Sequence, residues 1–201
     1  MPGKNDKRGA RLRQEVAFEA ARILATEGQR NYLNAKQKAA QRMGLSPRAS
    51  LPSNREVEDA LKSWQSLYGG DDHDSNLRQL RESAVAAMGL FSEFSPRLVG
   101  PVLEGTADRY SRISLHLFSA DPDAVPRFLM DRGIPFEQEV RRIRWHDGGH
   151  RNLDLIVFEA GDHTLEAALL TDTDARQPPP SPIDGRPQRR AAIAEVKDLV
   201  G

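Results

Sequence analysis

The spacing of apolar residues changes once along this 201-residue chain, near Pro96, and the change separates a stretch able to bury helical stripes from one able to bury a sheet. Before it, apolar side chains recur at steps of three and four. Val16, Ala17, Ala20, Ile23 and Leu24 predict a helix over 6–26 that stops at Gly28; Tyr32, Ala35, Ala39 and Met43 predict a second, capped by Asn31 and ended by Gly44 and Pro47. Ser53 and Glu56 have the spacing of a capping box, and Val57, Ala60, Leu61, Trp64, Leu67 and Tyr68 follow at helical intervals. A fourth helix, opened by the acidic stretch Asp71, Asp72, His73, Asp74, carries Leu77, Leu80, Ala84, Ala87, Met88 and Phe91, and Trp64 and Phe91 are expected in the core.

After Pro96 the apolar residues alternate. The runs 97–103, 112–118, 139–145, 153–159 and 164–170 read as strands, with one helix opened by Asp121-Pro122, bearing Val125, Phe128, Leu129 and Met130, and closed by Gly133. The order is β-β-α-β-β-β. Residues 145–150 read as a hairpin turn, 177–187 as a proline-rich extended strap, and Ile193, Val196 and Leu199 as a short closing helix. The expected class is α+β, with a four-helix region followed by a mixed sheet, divided as 1–94, 95–175 and 176–201.

Zero cysteines exclude disulfides, thiolate metal sites and cysteine nucleophiles. No run approaches the roughly 18 apolar residues of a membrane span, and the first residues lack the apolar stretch of a secretory signal, so the expectation is a soluble, cytoplasmic chain without a membrane partner. Twenty-nine basic residues balance 29 acidic ones, but unevenly: residues 1–50 carry eleven basic against four acidic side chains. That basic quarter makes RNA or an acidic protein a candidate partner, with Arg30, Lys36, Lys38, Arg42 and Arg48 as the phosphate-tracking residues.

Residues 99–117 read V-G-P-V-L-E-G-T-A-D-R-Y-S-R-I-S-L-H-L. This resembles, without a gap, the pattern of the minimal nucleotidyltransferase family of the polymerase-β-like fold: hydrophobic-G-S-x-x-x-G-T-A, then S-D-I-D-hydrophobic. The resemblance spans 95–170 and implies that Gly100, Gly105 and Thr106 shape a nucleotide-binding turn. Two aspartates on the next strand, with a third carboxylate on a later one, would hold Mg²⁺ for nucleotidyl transfer. Glu166 is the candidate third carboxylate. The departures lie at the reacting groups: Pro101 stands where the family has its phosphate-binding serine, and Arg112 and Ser114 where it has its aspartates. The favoured expectation is a nucleotidyltransferase-like protein without metal-dependent transfer, acting as a binding or regulatory scaffold. In it Arg112, Ser114 and His116 offer a nucleotide or anion site, and no cofactor or bound metal is expected.

Three other readings compete. An active transferase, needing Mg²⁺, would recruit Glu104, Asp108, Asp154 and Glu166; an RNA-binding protein would use the basic helices; and a divalent metal would gather His146, Asp147, His150, His163 and Glu166. Ser114 and His116, two apart on one strand, are expected to form a polar pair.

Overall fold

A computed structural model describes residues 4–29, 31–46 and 51–201, with side chains from residue 8 onward. Arg30 and Arg48 therefore lie outside the described residues. The chain is α+β and divides into two compact units, residues 1–74 with 182–184, and residues 75–181 with 185–201.

In the first unit, helices α1 (Lys4–Glu27), α2 (Tyr32–Arg42) and α3 (Asn54–Tyr68) bury a core of small and branched side chains: Val16, Ala20, Ile23, Ala35, Ala39, Val57 and Leu61 among them. The alanines let the helices approach closely. The Asn31 side chain caps α2 by accepting the Asn34 N–H at 3.1 Å. Ser53 and Glu56 exchange side-chain and backbone bonds at the start of α3, satisfying two N–H groups that the first turn leaves free. The apolar stripe of α3 outlasts its packing. Buried positions end at Gln65: Trp64 is half-buried, which corrects the core role expected of it, and Leu67 and Tyr68 at the end of the stripe are 71% and 65% exposed.

The second unit holds most of α4 (Gly70–Leu90), whose Leu77, Leu80, Ala84, Ala87 and Met88 join the sheet core, so the helical span read to residue 94 crosses from one unit to the other. Five strands follow: β1 (Arg97–Val99), β2 (Ile113–Phe118), β3 (Glu137–Arg144), β4 (His150–Ala160) and β5 (His163–Leu170), laid side by side as β1-β2-β5-β4-β3. Only β2 and β5 run parallel. Ile113, Leu115 and Leu117 point to one face with Ile156, Phe158, Leu165 and Ala167, around a Phe91 ring that meets Phe94, Phe128 and Phe158 at 5.5 to 6.3 Å. The alternate residues, Ser114, His116 and Glu166 among them, face the other way.

Two local readings are corrected. The first strand ends at Val99, not 103, because Gly100 turns the chain at φ +73° and Pro101, with φ preset and no N–H to give a ladder, starts the short helix α5 (Pro101–Glu104). Pro122 precedes α6 (Ala124–Asp131) rather than opening it; Pro126 is the proline in the first turn. A further short helix, α7 (Asp172–Arg176), starts from a Thr171–Asp174 capping box, and α8 (Ile193–Asp198) follows the strap.

Candidate functional site

Parallel pairing of β2 with β5 sets Ser114 directly beside Glu166. The Ser114 hydroxyl donates to Glu166 Oε1 at 2.9 Å, and Arg141, from β3, donates Nη1 to Oε1 at 3.2 Å and Nη2 to Oε2 at 2.8 Å. Arg112, two residues before Ser114 and on the same face, lies 3.5 Å from Glu166 Oε2 and donates from Nη1 to both oxygens of Glu139 at 3.2 and 3.3 Å. The result is a closed network of two guanidinium groups, two carboxylates and one hydroxyl. Glu166 is its partly buried centre, with a side chain 12% exposed. Burial works to raise its carboxyl, but the Arg141 bonds, the Ser114 hydroxyl and the Arg112 charge outweigh that and hold it below the usual carboxylate range.

Gly100 lies against this centre, since a Cβ added there would sit 3.7 Å from Ser114 Oγ. Gly105 (φ +83°) closes α5, and buried Thr106 donates its N–H to the Pro101 carbonyl at 3.0 Å. His116, one strand step beyond Ser114, does not pair with it. Its Nδ1 instead accepts from Arg190 Nε at 2.9 Å. Arg190 comes from the segment after the strap, donates also to the carbonyls of Asp174 and Ala175, and stays a cation although burial lowers it to about 10.

Mg²⁺ asks for several hard anionic oxygens in octahedral array. Here Arg112 and Ser114 occupy two of the three positions that the resemblance assigns to carboxylates, and both oxygens of the remaining one are engaged by Arg141. The residues present do not fit the ion. Nor are the other carboxylates gathered: Asp154 lies on the opposite sheet face from Glu166, and Asp108 accepts from Ser111 Oγ and the Tyr110 N–H. His146 and His150 sit at the turn that starts β4 while His163 lies beside its far end, and among the described residues no group of three metal-ligating side chains forms.

On the first unit, Lys38 and Arg42 share a face with acid. Lys38 donates to Glu27 at 2.6 Å, and Arg42 donates to Glu27 at 2.7 Å and Glu19 at 3.2 Å. The hydrogen bonds from Arg42, then Lys38, hold Glu27 down at about 2. Lys36 is buried and donates to Asn54 Oδ1 at 2.8 Å. The three described basic candidates are thus spent within the unit, and a phosphate would have to displace a carboxylate to reach Lys38 or Arg42.

No protein-family model, curated protein or solved structure matches the chain. Among the described residues no helix is long and apolar enough to cross a membrane.

Sequence reasoning reached Glu166, Ser114, Arg112 and Gly100 but not Arg141, Glu139 or Arg190. Glu139 and Arg141 were visible only as same-face neighbours in the alternation E-Q-E-V-R-R-I-R, which says nothing of the strand they reach across to.

Proposed function

We propose that residues 95–170 form a nucleotidyltransferase-like domain that has lost metal-dependent transfer and serves as a binding or regulatory scaffold. One observation carries the reading: the guanidinium groups of Arg112 and Arg141 lie against Glu166 and Glu139, where the resemblance would place metal ions against carboxylates. Two fixed cations supply permanently the positive charge that bound metal would otherwise bring. The pairing of Ser114 with Glu166 across β2 and β5 supports it further, because a third carboxylate useful to the family's pair must stand next to that pair. Arginine forks bind carboxylates and phosphates through paired N–H donors, so any ligand this face takes is an anion that exchanges with Glu139 or Glu166 and needs no metal.

The test measures thermal stability with each ribonucleotide, with and without Mg²⁺, and incorporation of labelled nucleotide into RNA, protein and small acceptors. The expected result is no incorporation and no Mg²⁺-dependent shift, with Mg²⁺ binding appearing when Arg112→Asp and Ser114→Asp are combined. Mg²⁺-dependent transfer by the unmodified chain, lost on Glu166→Ala, overturns the reading.

A further inference from the structure

Strand β3 pairs with β4 on one side and, among the described residues, with no strand on the other. An eight-residue edge of this kind is a template for another strand unless something blunts it. Charge does the blunting here, but in a particular order: Glu137 and Glu139 stand in the first half of the strand and Arg141, Arg142 and Arg144 in the second, with Val140 between them, 65% exposed. A strand of one sign throughout, or of the same order run parallel, meets repulsion. An antiparallel copy meets its complement.

The hairpin fixes which backbone groups are free. The Trp145 N–H donates to the Gly149 carbonyl at 2.8 Å, so bonds to β4 fall on odd-numbered residues of β3, and the N–H and C=O groups of Gln138, Val140 and Arg142 point outward. Two copies related by a two-fold axis normal to the sheet pair residues symmetrically about one position. Centred on Glu139, Arg141 or Arg142, the axis sets a charge against itself, and centred on Gln138 it sets Glu137 against the partner's Glu139. Centred on Val140, it sets Val140 against the partner's Val140, Gln138 against the partner's Arg142, and Glu139 against the partner's Arg141, charges that Arg112 and Glu166 also hold within each chain, with no like charges opposed.

The surroundings point the same way. On the Gln138 side, a cleft of about 410 Å³ carries Asp121, Asp123 and Asp154 around apolar Leu117, Val125 and Ile156. Asp121 is already paired with Arg127. In the Val140-centred register the partner's Arg142 arrives opposite Gln138, at the rim of this acidic cleft, and the exchange is repeated by symmetry at the other end.

We propose that β3 is a self-recognition edge: two copies of this chain add β3 to β3 in antiparallel fashion, in the register centred on Val140, forming one continuous ten-stranded sheet. The occupant is a second copy because the edge is complementary to itself, in that register alone among those centred on 138–142.

The chain has no cysteine, so one introduced thiol reports position without interference. Light scattering after size exclusion should give twice the mass of one chain, and Val140→Lys, at a site already exposed, should return it to one chain with unchanged circular dichroism. Val140→Cys should cross-link on mild oxidation. Gln138→Cys should not, because in this register its two copies are separated by four strand steps, about 13 Å, beyond the roughly 7 Å a disulfide can span. A single-chain mass up to the highest soluble concentration, a dimer indifferent to Val140→Lys, or cross-linking through residue 138 as fast as through 140 overturns the proposal.

Discussion

His116 is an imidazole kept neutral by its place in the fold. It is 3% exposed, and its burial, reinforced by the Arg190 cation whose Nε it accepts, lowers it from 6.5 to about 3. A base depressed in the folded state contributes stability above its unfolded value and loses it as pH falls toward the folded one. Between pH 7 and pH 5 the unfolded chain gains that proton and the folded chain does not, which costs about 2 kcal/mol. Urea midpoints at the two pH values should show the loss. His116→Gln, whose amide oxygen can still accept from Arg190, should reduce it to what the remaining residues contribute; an undiminished pH slope in that variant would mean that His116 is not its source. The residue was legible as a polar group on the Ser114 face, but its partner was not, since Arg190 stands 74 positions away with no local pattern leading to it. The same holds for Glu166. Its type and alternation marked it out, and Arg112 was reached with it, whereas Arg141, which holds both its oxygens, comes from β3, a strand whose neighbours no single sequence names.

The turn from β1 into α5 is the element on which the Ser114 centre leans. Gly100 sits at φ +73° and ψ −157°, a region that only glycine enters without strain. Space is not the obstacle, because an added Cβ would rest at ordinary contact distance, 3.7 Å, from Ser114. Gly100→Ala should therefore cost about 1–3 kcal/mol in denaturant unfolding through backbone strain alone. A loss below a few tenths would show that the turn relaxes to another conformation. Elements with a clean period were readable: the capping box of α3, the Gly133 stop after α6, and the hairpin between β3 and β4 all stand as the residues suggest. Where an apolar run ended was not. Val102 and Leu103 looked like a strand continued past Pro101, and Leu67 and Tyr68 continued a stripe whose packing partners had already run out, which spacing alone does not record.

Over the whole molecule, the two large hydrophobic clusters are each confined to one unit: Ile23 with Ala20, Ala35 and Leu61 in the helical one, Leu115 with Phe91, Leu129 and Ile156 in the sheet one. Cores that share no side chains can be damaged one at a time. Ile23→Ala and Leu115→Ala should each cost about 2–5 kcal/mol, and each should displace a different component of the calorimetric transition. Equal displacement of one indivisible transition by both would mean that the units fold as one.

The other margin of the sheet is already spoken for. Leu98 of β1 and Ala191 exchange N–H to carbonyl bonds at 2.9 Å in both directions, so the three-residue edge strand is capped by the chain's own later segment. A sheet with two open margins is a monomer unit for a polymer, each copy offering a new end to the next. A sheet with one has a valence of one. Joining two such sheets through β3 consumes the last open margin of each, leaves a capped β1 at both outer limits, and terminates growth at a pair, the strand-level equivalent of a chain reaction quenched in its first step.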